Sequence, residues 1–202
     1  KSKWTPEEMT RLQMDVFADD LKFFADQAVR AVERRGDQNP FAKEGAQLLK
    51  PWTGQMTRDD AAPFLASLLF QHLRRSMADR AAPKEAADYK PYIAHSVVAK
   101  LLRERPKGWF PDYDLWLATS LADAVEEGKR MQGRTPARWR YGASNQLLLA
   151  HPVAKMIPFV GSYYNIGPVP MDGSGTTVKA STERLGPSMR CVADTSNWAN
   201  SL

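Results

Sequence analysis

Apolar residues recur at Met9, Leu12, Val16, Leu21, Phe24, Ala28 and Val32, mostly three or four positions apart. That spacing predicts one long helix from Thr5 to Gly36. Thr5-Pro6-Glu7-Glu8 opens it: Thr5 caps, Pro6 suits the first turn, and Glu8 completes a capping box. Such a stripe needs a partner surface, because an isolated helix does not hold it in water. Asn39-Pro40 marks the next boundary, before a short helix over 42–49 and a turn over 51–56. Thr57, followed by Asp59 and Asp60, is expected to cap a third helix with the stripe Ala61, Phe64 or Leu65, Leu68, His72 and Met77. Residues 81–90 read as a polar, alanine-rich linker. A fourth helix is expected over 92–103, with Ile93, Val97, Leu101 and Leu102 inward, then a loop over 106–111. Leu117, Leu121 and Val125 set a fifth helix from Tyr113 to Gln132, stopped by Gly133. Thr135-Pro136 begins a short turn of helix ending at Trp139.

After Trp139 the period changes. Short β-branched runs lie between clusters of Gly, Pro and Asp, and predict strands over 147–150, 163–166, 176–180 and 188–194. Asp172-Gly173-Ser174-Gly175-Thr176 reads as a hairpin turn. In the last run, Met189, Cys191 and Ala193 share one face, with Arg190 and Val192 on the other. Pro187 can stand only at its start, and a central, buried strand is expected. Helices first and strands last define an α+β chain, with a helical region over 1–142 and a β-rich region over 143–202.

The 202 residues suffice for one sizeable domain or two small ones. No run of 18 apolar residues occurs, which excludes a membrane-spanning helix. Lys1-Ser2-Lys3-Trp4 leads directly into the first helix signal, so no signal peptide is read here. The net charge of +5 permits weak attraction to polyanions. The charges are interspersed, however, as in Arg30-Ala31-Val32-Glu33-Arg34-Arg35, and no nucleic-acid-type run appears. Cys191 is the single cysteine, which excludes an internal disulfide and a cysteine-based zinc site. Its apolar neighbours predict a buried position.

Candidate chemistry is sparse. His72, His95 and His151 lack metal-ligand spacing and are expected to be hydrogen-bonded structural residues. Gly-x-Ser-x-Gly is absent. Gly161-Ser162 and Gly173-Ser174 occur in turn-like sequence. Lys129, Arg130, Arg134, Arg138, Trp139, Arg140 and Tyr141 form one basic, aromatic-laced patch of the kind that can bind single-stranded nucleic acid. The favoured reading is a helix C-terminus, where cations are stabilised, beside a buried Trp. No residue is assigned a catalytic, cofactor-binding or metal-binding role.

One block is far more specific than these features. Tyr163-Tyr164-Asn165-Ile166-Gly167-Pro168-Val169-Pro170, Asp172-Gly173-Ser174-Gly175, Thr177-Val178 and Gly186-Pro187-Ser188-Met189-Arg190-Cys191-Val192-Ala193-Asp194 follow one another in order. The block resembles the end of the β-chain of the penicillin amidase (penicillin acylase) family of N-terminal-nucleophile hydrolases. Trp139-Arg140-Tyr141-Gly142-Ala143-Ser144-Asn145 through His151-Pro152 is similar to that family's Trp-x-x-Gly-x-x-His…His-Pro segment, with Asn145 where the family commonly has His. Trp4-Thr5-Pro6-Glu7-Glu8-Met9 and Leu49-Lys50-Pro51-Trp52-Thr53-Gly54 are looser matches.

The resemblance implies an αββα fold whose late strands this chain supplies. It also implies hydrolysis of an amide through an acyl-enzyme, the amide being an acylated β-lactam, an acyl-homoserine lactone or a related compound. The family's nucleophile pattern Ser-Asn-Asn/Ala-Trp and its closing Gly-Gln-Ser-Gly segment are absent, and residue 1 is Lys. The chain is therefore expected to be a C-terminal fragment of the β-chain, inactive alone. No cofactor is expected within it, since the family's calcium site would lie outside. Its expected partners are the remainder of the same enzyme and a small-molecule amide, with self-association through unpaired strand edges. Nucleic acid and membrane are not expected partners. Periplasmic or secreted location follows from the resemblance. The alternative is a non-catalytic helical module that binds an acidic partner through the basic patch.

Overall fold

A computed structural model describes residues 4–36, 39–152, 161–182, 185–187 and 190–194. Its helices are α1 (Pro6–Gln13), α2 (Asp19–Arg35), α3 (Pro40–Leu49), α4 (Ala62–Ala81), α5 (Ala86–Tyr89), α6 (His95–Glu104), α7 (Tyr113–Gln132) and α8 (Gly161–Tyr164). Its strands are β1 (Gln146–Leu149) and β2 (Ile166–Pro170), and the architecture is α+β. The chain divides into two units. One combines 19–54 with 59–140, and the other combines 1–18, 55–58 and 141–202.

The helical unit is built around α7, against which α2, α3 and α4 pack. Asp112 caps α7 by accepting from the Leu115 N–H at 2.9 Å, and Gly133 ends it at φ +90°. Leu117, Leu121 and Val125 are fully buried, as their spacing predicts. Gly45 lets α3 approach closely: a β-carbon there would stand 2.8 Å from Leu121 Cδ1 and 2.9 Å from Val125 Cγ2. Phe24 of α2 stacks on Phe70 of α4 at 5.6 Å. Two expectations shift. Helix α4 begins at Ala62, with no side-chain cap, rather than at Thr57. Helix α6 begins at His95, which turns Val98 inward and leaves Val97 exposed. The polar linker contains the single helical turn α5.

In the other unit, Thr5 and Glu8 form the expected capping box of α1. The single long first helix does not form. Helix α1 stops at Gln13, and the following backbone is used elsewhere. The Asp15 carbonyl accepts from the Lys179 N–H at 2.8 Å, and the Val16 carbonyl from the Met56 N–H at 2.9 Å. Phe17 bridges Gln55. Carbonyls committed this way cannot serve an α-helical ladder.

Strands β1 and β2 pair antiparallel, with Gln146 opposite Pro170, Leu147 opposite Val169, and an irregularity before Leu149 meets Ile166. The expected strand over 163–166 is instead the last part of α8 and the start of β2. No strand forms over 176–180, where side-chain hydroxyls take the backbone groups. Nor do residues 190–194 form the expected buried strand; positions 188–189 lie outside the described residues. The Cys191 carbonyl accepts from Gln13 Nε2 at 3.1 Å, a side-chain partner in place of a ladder. Cys191 is exposed, not buried.

Candidate functional site

The Gly-, Asp- and Ser-rich turn residues after β2 fold into a buried polar knot. Gly173 adopts φ +89°, and a β-carbon there would stand 2.2 Å from the Lys179 carbonyl oxygen. Only glycine satisfies both conditions. The Gly173 N–H donates to the Met56 carbonyl at 2.8 Å. Its carbonyl accepts from two side chains: Tyr141 Oη at 2.9 Å and Asn145 Nδ2 at 3.0 Å. Asn145 Nδ2 also donates to the Met171 carbonyl at 3.0 Å, while the Met171 N–H donates to the Asn145 carbonyl at 2.9 Å.

Asn145 stands where the resembled pattern has His, and this geometry gives that departure a reason. An amide nitrogen carries two donors, and both carbonyls are served at once. A neutral imidazole has one donor. Asn145 is buried and acts as a clamp on the 171–173 backbone.

Around the clamp, Asp172 Oδ1 accepts from the Arg58 N–H at 2.8 Å, and Asp172 Oδ2 lies 3.5 Å from Lys179 Nζ. The Ser174 N–H donates to Thr177 Oγ1 at 2.8 Å, and the Ser181 N–H to the Ser174 carbonyl at 3.0 Å. Ser174 Oγ lies 3.3 Å from Thr176 Oγ1. These hydroxyls bind backbone and one another. What the knot does chemically is hold a loop, and Gly173-Ser174 is part of that loop rather than of a hairpin. Gly161-Ser162 opens the four-residue helix α8.

The histidines separate clearly. His72 Nε2 lies 2.7 Å from Glu127 Oε2, linking α4 to α7. His95 Nδ1 pairs with Asp20, and its ring meets Phe70 edge-on at 3.7 Å between centroids. His151 packs near Tyr164, with 5.6 Å between ring centroids. Among the described residues no group of His, Cys, Asp and Glu has metal-binding geometry.

The basic patch loses its aromatics to packing. Trp139 is fully buried, edge-on to Phe64 at 5.5 Å, and its Nε1 donates to the Gly133 carbonyl at 2.8 Å. Tyr141 is buried as well. Lys129 pairs with Glu44 at 2.6 Å and lies 4.5 Å from the centre of the Phe41 ring. Neither ring offers a stacking face, as the helix-terminus reading predicts. The strongest charge network lies elsewhere in the helical unit. Asp114 accepts from Arg34 at 2.7 and 2.8 Å and from Arg105 at 2.9 Å. Arg34's hydrogen bonds hold the Asp114 carboxyl below the usual carboxylate range, against the opposing effect of burial, and Arg105 adds to the depression.

Sequence reasoning did not assign Tyr141 and Asn145 to Gly173. The one available signal was the Asn at a position patterned for His, three residues after a glycine. The penicillin amidase family model matches the chain over residues 1–202. No curated protein matches it.

Proposed function

The chain belongs to the penicillin amidase family, and from that premise we propose that it is the late β-chain part of an enzyme that hydrolyses a small-molecule amide. The observation that carries the reading is the match over residues 1–202, together with a built role for Asp172 and Gly173 of the resembling block, held by the Arg58 N–H, Tyr141 and Asn145. In the reaction a nucleophilic hydroxyl attacks the amide carbonyl, the C–N bond breaks as the amine leaves with a proton, and water releases the acid from the acyl-enzyme. The nucleophile and any calcium site belong to the remainder of the enzyme. Leu148, Leu149, Ile166 and Val169 of the strand pair are exposed and suit coverage by that remainder or by a second copy. The substrate class is an acylated β-lactam, an acyl-homoserine lactone or a related amide. The location is periplasmic or secreted.

The test is reconstitution. This chain alone should not turn over a chromogenic phenylacetyl anilide. Co-expression with the upstream part of the same reading frame should restore turnover. Hydrolysis by the chain alone, abolished by replacing one of its own Ser or Thr residues, would overturn the assignment of the nucleophile elsewhere. Absence of an upstream Ser-Asn-x-Trp segment would overturn the enzyme reading.

A further inference from the structure

A groove of about 320 Å³ runs along α7 in the helical unit, against α4 and the loop before α7. Its volume is at the lower end of the range for small-molecule sites. Trp116, Thr119, Ser120 and Asp123 line it at helical positions i, i+3, i+4 and i+7, which is one stripe of α7. The groove exists because Thr119, Ser120 and, from α4, Ser76 are small where larger side chains would close the contact. Phe110 and Trp116 make a stacked wall, 4.0 Å between centroids and 7° between planes. The wall is held in place: Trp116 Nε1 donates to Ser76 Oγ at 3.0 Å, and Ser76 Oγ donates to the His72 carbonyl at 2.6 Å. Trp116 is itself buried, so its orientation is set by packing before any ligand arrives.

Two carboxylates flank this apolar slot, and they are not equivalent. Asp112 is committed, since it caps α7 and its Oδ2 pairs with Arg35 Nη1 at 2.5 Å. Asp123 is exposed at the other end of the stripe, and among the described residues no cation pairs with it. Among the described residues no Lys or Arg lines the groove. A flat apolar wall, a hydroxyl floor and one uncompensated negative charge match one ligand chemistry: an aromatic or alicyclic ring joined by a short chain to an ammonium group. An aryl carboxylate meets the same wall but is repelled at Asp123.

We propose that this groove of α7 is a binding site for arylalkyl ammonium compounds, with Phe110 and Trp116 taking the ring and Asp123 the charged nitrogen.

Titration of the full chain with phenethylammonium, phenethyl alcohol and hydrocinnamate, followed by ligand-observed NMR, tests the proposal. The ammonium should bind most tightly and the carboxylate least. Asp123→Asn should weaken the ammonium by about threefold to fivefold, as suits an exposed ion pair, and leave the alcohol unchanged. Thr119→Trp fills the slot from an exposed position and should abolish binding of all three while leaving the circular-dichroism melt intact. Three results would each overturn the proposal. One is no saturable binding of phenethylammonium up to its solubility limit. Another is binding unaffected by Thr119→Trp. The third is an equal response of ammonium and alcohol to Asp123→Asn.

Discussion

Gly128 of α7 lies directly against the indole of Trp139: a β-carbon at Gly128 would stand 2.6 Å from Cη2 and 3.0 Å from Cζ2 and Cζ3. The indole cannot retreat, because it is fully buried, packed edge-on to Phe64 and hydrogen-bonded through Nε1 to the Gly133 carbonyl. Alanine would raise helix propensity by up to about 1 kcal/mol. Overpacking of a rigid core typically costs about 1–3 kcal/mol. The 2.6 Å approach to a ring that cannot move puts the cost toward the upper end of that range, so Gly128→Ala is expected to lower stability by about 2 kcal/mol in urea unfolding. Adding Trp139→Leu should make the combined loss smaller than the sum of the two single losses, because the smaller side chain removes the clash. Simple additivity would rule out the contact as the cause.

The Asn145 clamp predicts a graded series. Asn145→Ala removes both donors and leaves the Met171 carbonyl without its side-chain donor, at a cost of about 1–3 kcal/mol. Asn145→His restores one donor and should fall between wild type and Ala. Hydrogen exchange at residues 171–181 reads the same series locally. Equal protection in all three proteins would show that the amide does not hold the loop.

The pairing of Asp114 with Arg34 and Arg105 sets a pH dependence. Asp114 is depressed in the folded chain, chiefly by the Arg34 hydrogen bonds, relative to an unfolded value of about 3.9. Its stabilisation is thus complete above the unfolded value and is lost as pH falls through the folded one. The same contact raises Arg34. Asp114→Asn should destabilise the protein at neutral pH and flatten the acid limb of its stability curve, measured by urea midpoints from neutral down to about pH 2. An acid limb parallel to that of wild type would place the responsible carboxylates elsewhere.

Arg190 is expected to behave as a moderate brace. Its Nη1 donates to the Gln13 backbone carbonyl, while its Nε is buried and has no partner among the described residues. The group left behind by Arg190→Met is a neutral carbonyl. The loss should therefore be about 1 kcal/mol, not the roughly 3–5 kcal/mol that follows when a buried charge is stranded. A loss in the higher range would require a carboxylate facing Arg190.

Much of the helical unit was legible in local sequence, because its signals act over one or two turns. Both ends of α7 follow from neighbouring chemistry: Asp112 offers a carboxylate to the Leu115 N–H, and Gly133 takes a positive φ. The Asn39 cap of α3 is equally local, and so, in the other unit, is the Thr5–Glu8 capping box of α1. The family was readable as a resemblance, from the order of residues after Tyr163; of the glycines there, Gly167 and Gly173 take positive φ.

What the tertiary structure decided were the places where distant partners claim backbone groups. Thr57 looks like a cap, yet the Arg58 carbonyl, which a helix begun there would turn to the Ala62 N–H, accepts instead from the Gly142 N–H at 2.7 Å, and the Arg58 N–H goes to Asp172. The stripe through Val16 looks continuous, yet the Asp15 and Val16 carbonyls are taken by Lys179 and Met56. Asn145 shows the same limit at a single side chain. Its identity was visible as a departure from His, but its role depended on bringing the Met171 and Gly173 carbonyls within reach of one amide nitrogen. Periodicity reports what a segment can bury; which hydrogen bonds it makes depends on what the rest of the chain places beside it.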